Sequence, residues 1–200
     1  MKRFLNSLRA SVTLLLILTL LLGGIYPLVI MGVAQTFFTH RANGSLIERG
    51  DKIIGSSLLG QEFSSPKYFW GRLSATMPPY NPAASTGSNF NPANPKLLQA
   101  ADVHIAALQK ADPGNKSLIP VDLVTASASG VDPHISVASM LYQLPRVARA
   151  RGMTEDAVKA LAVKATEMPF LEILGEPYVN VVRLNLSLDE AKAGTNPNGK

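Results

Sequence analysis

One stretch near the middle of the chain, VDLVTASASGVDPHIS at positions 121–136, gathers Ser127, Ser129, Asp132 and His134. Serine, histidine and aspartate are the parts of a hydrolase: histidine takes the serine proton and the carboxylate orients the ring. The spacing does not supply the geometry. A nucleophile elbow reads G-x-S-x-G, because its sharp strand-to-helix turn tolerates only small flanking residues. Neither Ser127 nor Ser129 has a glycine two places before it. His134 falls on the first turn of its own predicted helix, with nothing to carry it back over a serine. A plainer division of labour fits each residue. Ser127, Ser129 and Gly130 make a turn, Asp132 caps a helix, Pro133 opens it, and His134 and Ser136 sit where first-turn amides lack partners. A membrane-anchored hydrolase using Ser127 or Ser129 with His134 is the alternative.

Other chemistries are weaker still. GNKS at 114–117 has the end of a P-loop but not the earlier glycine whose amides would wrap a phosphate. Three separated histidines and no cysteine give no transition-metal constellation. Arg146, Arg149 and Arg151 follow Gln143; they read as cations at a helix C-terminus, where they complement its dipole, or as forks for an acidic partner.

What must position these residues starts with a membrane segment. From Ala10 to Thr39 there is no charged residue, and Val12 to Val33 is almost wholly apolar. A helix of about 22 residues spans roughly 33 Å, the thickness of a bilayer's hydrocarbon core. GVAQ at 32–35 would suit signal cleavage, but a signal's apolar core is shorter, typically 7–15 residues; the length favours a retained anchor. Lys2, Arg3 and Arg9 before the span place the N-terminus in the cytoplasm and residues from about 40 onward outside. The expected organisation is a cytoplasmic N-terminus (1–9), one transmembrane helix (10–38), an extracytoplasmic domain (39–190) and a disordered tail (191–200). Gly23, Gly24 and Pro27 interrupt the span; the glycines either do nothing more than anchor or let a neighbouring helix approach closely.

The net charge is +5, and three of those charges lie in the first nine residues, leaving 5 − 3 = 2 for the rest. No basic stripe is interleaved with stacking aromatics, so a nucleic-acid partner is excluded.

Beyond the span the pattern predicts a mixed α/β (α+β) domain. DKIIGSSLLGQEF reads as two short strands turning at Gly55, and Tyr68, Phe69 and Trp70 as a core anchor. Residues 77–95, rich in proline, asparagine and serine, read as a long loop, either folded on its own Asx turns or offered as a docking surface. Asn94 and Pro95 open a helix with a stripe of Leu98, Ala101, Ile105 and Leu108, which puts His104 at its boundary. SLIPVDLVTAS reads as a strand, and the segment from Asp132 to Gly152 as a helix kinked or broken before Pro145. Thr154 caps a further helix with Val158, Leu161, Ala162 and Ala165 inward. Val182, Leu184 and Leu186 alternate with polar residues and predict a strand.

Several blocks occurring in this order behind a single span resemble one family, the C subunit of the Kdp potassium-transporting ATPase: GSSLLGQEF, YFWGRLSAT, YNPAASTGSNFNPANP, PVDLVTASASGVDPHIS, QLPRVARARG and LGEPYVNVVRLNLSLD. Thr86 stands where a second glycine is common in that family, and Leu73 where proline is common. The resemblance implies a non-catalytic accessory subunit of a bacterial inner-membrane complex. There, a channel-like A subunit passes K⁺, a P-type ATPase B subunit hydrolyses ATP, and a small F peptide helps hold the assembly. The C subunit acts as a catalytic chaperone that raises the ATP affinity of the ATPase subunit. On this resemblance Ser127, Ser129, Gly130, Asp132, Pro133, His134, Gln143 and Arg146 are candidates for a partner interface or a structural motif. No cofactor is implied for the chain itself.

Overall fold

The computed structural model describes residues 1–169, 171 and 173–194, with the backbone alone for 192–194. The chain divides into two compact units, Met1–Ile54 and the part from Gly55 onward.

In the first unit one continuous helical rod runs from Lys2 to Phe37, long and apolar enough to cross a membrane. It consists of α1 (Lys2–Leu20), a π-helical turn (Leu21–Ile25) and α2 (Tyr26–Phe37). The π turn contains Gly23 and Gly24 and stands just ahead of Pro27. Proline lacks the N–H of the regular ladder, and a local π turn is one way a helix absorbs that loss. Added Cβ atoms would meet nothing within 4 Å at Gly23 and only Leu20 Cδ1 at 3.8 Å at Gly24. The short α3 (Thr39–Ala42) leads to β1 (Leu46–Arg49) and β2 (Lys52–Ser56), which form a two-stranded sheet. The turn between these strands is at Gly50, with φ +60°, not at Gly55 as the apolar runs suggested. Gly55 lies inside β2, and the second apolar run is not a strand.

The second unit is mixed α+β. Its sheet has the order β3–β5–β4 and is antiparallel throughout, built from β3 (His134–Ser136), β4 (Thr166–Glu167) and β5 (Tyr178–Asn180). His134 faces Asn180, Ile135 faces Val179, and Thr166 faces Val179 from the other side. Helices α4 (Pro95–Ala111), α5 (Val137–Arg151), α6 (Glu155–Lys164) and α7 (Val181–Gly194) complete the unit. Phe69, Leu108, Leu123, Ile135, Val147, Val158, Val179, Leu184 and Leu188 form its core.

Asn94 and Thr154 cap α4 and α6 as predicted, each accepting from a first-turn amide. The stripe on α4 is rotated from the expected one: Leu108 is buried but Leu98 is exposed. Three expectations fail outright. First, SLIPVDLVTAS is not a strand. It forms a 3₁₀ turn (Val121–Leu123) followed by irregular chain, with one parallel bridge from Ala126 to Leu73. Second, α5 starts at Val137 with Ser136 as its cap, not at Pro133, because β3 takes up residues 134–136. It runs through Pro145 to Arg151 without a break.

Third, the alternating Val182, Leu184 and Leu186 belong to α7 rather than to a strand. The residues it buries are Val181, Val182, Leu184, Asn185 and Leu188, a helical repeat. Asn180 caps it, accepting from the Arg183 amide at 3.1 Å. α7 extends into the predicted tail as far as Gly194; residues 195–200 lie outside the described residues.

Candidate functional site

The 121–136 block spends its polar groups on the chain itself. The Ser127 hydroxyl accepts from the Gly130 amide at 2.8 Å, and Ser129 Oγ accepts from Val131 N at 3.3 Å. Gly130 has φ +69°, and a Cβ there would lie 2.6 Å from Thr86 O and 2.7 Å from Thr76 Cγ2. Only glycine meets both conditions. Asp122 accepts from Ser136 N at 2.8 Å and from the Ser136 and Ser139 hydroxyls. Pro133 contributes its carbonyl, which accepts from Val181 N at 2.8 Å and ties the block to the start of α7.

Asp132 and His134 form a half-buried cluster, with 24% and 33% of their side chains exposed. Asp132 Oδ1 accepts from the His134 amide at 3.0 Å and lies 3.2 Å from His134 Nδ1; Asp132 Oδ2 is 3.5 Å from Arg72 Nη1. Burial pushes the Asp132 carboxyl up, but the His134 hydrogen bonds and the charges of His134 and Arg72 outweigh it, so its pKa falls below the usual carboxylate value. His134 Nε2 lies 3.5 Å from Asn180 Nδ2, and its ring meets Tyr178 edge-on at 4.5 Å. Among the described residues neither Ser127 nor Ser129 is hydrogen-bonded to His134, so the serine–histidine relay of a hydrolase is not assembled. The described residues also contain no cluster of three or more groups able to hold a metal.

The 77–95 loop folds against this block. Thr86 N donates to Ser129 O at 3.0 Å, Ser85 Oγ donates to the same carbonyl, and Ser74 Oγ donates to Gly130 O at 2.6 Å. Asn81, Asn91 and Asn94 each accept from an amide two residues on, the Asx turns expected of the composition. Tyr80 donates to Arg72 O at 2.6 Å, and burial, followed by the Asp132 and Glu62 charges, pushes its pKa up to about 12.

Gln143 and Arg146 point inward. Gln143 is 1% exposed; its Oε1 accepts from Trp70 N at 2.8 Å and its Nε2 donates to Trp70 O at 3.1 Å. Asn185 on α7 treats Phe69 in the same way, with both bonds at 2.9 Å. Two side-chain amides thus do for Phe69 and Trp70 what neighbouring strands do in a sheet, satisfying N–H and C=O together. Arg146 donates to Pro66 O at 2.6 Å and to Gln143 Oε1 at 2.7 Å, with its guanidinium 4.6 Å over the Trp70 ring. Burial pushes its pKa down to about 10, so it stays charged at neutral pH. Arg151 donates to Lys67 O at 2.6 Å and pairs with Asp189 at 3.0 Å, while Asp189 accepts from Tyr68. Residues 66–70 are therefore clamped between α5 and α7. Asn185 was missed because the strand reading turned it outward; the helical repeat beginning at Asn180 would have placed it inside.

Comparison with known proteins gives matches over almost the whole chain. The family model described as K⁺-transporting ATPase, c chain, matches residues 8–190. The chain is 55% identical over 186 residues to the potassium-transporting ATPase KdpC subunit of Ralstonia nicotianae, covering 92% of this chain and 91% of the relative. To the KdpC subunit of Polaromonas naphthalenivorans it is 55% identical over 188 residues, covering 94% and 96%. To that of Methylibium petroleiphilum it is 56% identical over 183 residues, covering 91% and 96%. An N-terminal helix fit for a membrane, a mixed α+β domain and a match from residue 8 to residue 190 lead to one assignment: the chain belongs to the KdpC family, the c chain of the K⁺-transporting ATPase.

Proposed function

We propose that this chain is a non-catalytic accessory subunit of an ATP-driven potassium uptake complex. It is needed for assembly and raises the ATP affinity of the P-type ATPase subunit without touching the nucleotide. The observation that carries this reading is the family match over residues 8–190. Two features of the chain support this reading. Lys2, Arg3 and Arg9 ahead of the span hold the N-terminus in the cytoplasm, so the domain from about residue 40 lies on the outer face, away from ATP. Gln143 and Arg146, the polar pair of the QLPR block, are buried on the backbone of residues 66–70.

The effect on ATP is then a coupling free energy. The outer domain docks on the channel-like subunit, contacts two conformations of the complex differently, and biases their equilibrium. The span lies in the bilayer beside the other subunits and the small F-like peptide. K⁺ and ATP are handled by those partners.

Two measurements test this. A reporter fused after residue 200 reports an extracytoplasmic location; a cytoplasmic signal defeats the indirect mechanism. The assembled complex is compared before and after this chain is dissociated from it for the ATP dependence of K⁺-stimulated hydrolysis. The KM for ATP rises when the chain is absent, and an unchanged KM removes the chaperone role.

A further inference from the structure

The membrane helix has a gap in its own hydrogen bonding at the middle of the apolar run Val12–Val33. In a regular helix the Leu22 carbonyl accepts from Tyr26 N, four residues on. In the π turn that N–H donates to Leu21 O instead. The π register would offer Leu22 O the N–H of the fifth residue on, which is Pro27 and has none. The Leu22 carbonyl thus has no backbone donor in either register. Gly23 beside it carries no side chain, and a Cβ there would meet nothing within 4 Å, so the backbone is open to approach. Tyr26 adds a second unmet group. Four residues from Leu22, it shares that helix face; its side chain is 59% exposed, and its phenol has no hydrogen-bond partner among the described residues.

Hydrogen-bonding chemistry decides among the occupants of this face. The centre of a bilayer holds no water, so a backbone carbonyl there has to be met by protein. Lipid tails offer no donor. A second copy inserted in the same orientation sets Leu20 to Gly24 at the same depth, three leucines and two glycines with no side-chain donor or acceptor. What complements a bare carbonyl and a phenol one turn apart is a helix carrying a side chain that both donates and accepts. Hydroxyl and carboxamide side chains do this between membrane helices.

We propose that the Leu22 carbonyl and the Tyr26 hydroxyl make a polar contact with a transmembrane helix of another subunit of the transport complex, one carrying a serine, threonine, asparagine or glutamine near the bilayer midplane. This rests on the accessory-subunit reading above.

The test uses the full chain in the intact complex. A photo-crosslinking amino acid goes at Leu18, one turn before Leu22 on the same face, with Leu20 on the opposite face as the control; both side chains are exposed in the chain alone. Leu18 crosslinks to a membrane segment of another subunit and Leu20 does not. The rate at which the chain leaves the complex in detergent is then compared among variants. Tyr26→Phe removes only the hydroxyl, and Pro27→Ala restores an N–H for the helix's own carbonyl; each raises the rate about threefold, the worth of one average hydrogen bond between membrane helices. Gly23→Leu crowds the face and raises it about tenfold or more, whereas Gly32→Leu, at a glycine equally open within the chain, leaves it unchanged. Phenylalanine and alanine keep the span apolar and helical, so insertion is retained. Crosslinks from Leu18 to lipid alone, to a second copy, or equally from both sites overturn the contact and leave the accessory role standing. A rate unchanged by Tyr26→Phe or by Pro27→Ala, or raised as much by Gly32→Leu as by Gly23→Leu, overturns it too. Failure of the wild-type chain to co-purify with the ATPase subunits overturns both.

Discussion

Gln143→Leu separates a structural role for the QLPR block from a role at an interface. The Gln143 amide is the sole described side-chain partner of both the Trp70 N–H, at 2.8 Å, and the Trp70 C=O, at 3.1 Å. Its oxygen also accepts from Arg146 Nη2 at 2.7 Å. Leucine is of similar size and removes these three bonds together with the fourth, from Nε2 to Ser139 O at 3.3 Å, leaving the buried Trp70 donor and acceptor unmet. Each buried polar group left without a partner costs about 1–3 kcal/mol. Arg146 keeps Pro66 O at 2.6 Å and the face of Trp70, so its charge is not stranded. The added apolar burial offsets part of the loss, and the net destabilisation is about 3 kcal/mol. For a domain of this size each kcal/mol moves the midpoint by about 2–4 °C, so the full-length chain in detergent should melt about 6–12 °C lower. Differential scanning fluorimetry on Trp70, the only tryptophan, reads this directly. A residue that serves only a partner would show the reverse: a loss of stability under about 0.5 kcal/mol in the isolated chain, with weakened assembly. That result would refute the clamp.

Further outcomes follow from the same geometry. Gly130→Ala, with φ +69° and a Cβ 2.6 Å from Thr86 O, should destabilise by roughly 2 kcal/mol or more, and chemical denaturation measures it. Burial pushes the pKa of His104 down, so the folded chain binds this proton less readily than the unfolded one. Stability is then lost as pH falls from about 6.5 toward the lower folded value, and His104→Phe should flatten that part of a melting-temperature profile. Asp132 has the depressed carboxylate pattern: its contribution is present above the ordinary pKa of about 4 and lost as pH falls through the folded value. Asp132→Asn should therefore reduce the acid-side slope, and unchanged acid melts would remove the Arg72–Asp132–His134 cluster from the account.

Legibility in the sequence depended on whether a local rule had competition. The caps at Asn94 and Thr154 and the length of the apolar helix rest on a few adjacent residues, and the structure keeps them. The 3–4 stripe on α4 failed by rotation, since Leu97 and Leu98 are equally apolar and only packing decides which turns inward. The strand proposed at 182–186 failed because Val182 and Leu184, which fit a repeat of two, also belong with Val181, Asn185 and Leu188 to a helical repeat. Asn185, polar yet 1% exposed, settles it only once its partner, Phe69, is known to lie 116 residues earlier. Non-local hydrogen bonds of this kind leave no periodic trace.

The same reasoning explains why the 121–136 block imitates an active site. An irregular segment packed inside a domain has no ladder to satisfy its amides, so it needs short side chains that accept from backbone one to three residues away. Serine, threonine and aspartate are those side chains, and they are also the vocabulary of catalysis. Ser127 on Gly130, Ser129 on Val131 and Asp132 on His134 are three successive instances. What distinguishes the two uses is where the second lone pair and the proton go. In a catalytic site they meet a base and a substrate. Here the described bonds return to the chain, and the block's outward-facing remainder is Asp132 and His134 beside Arg72.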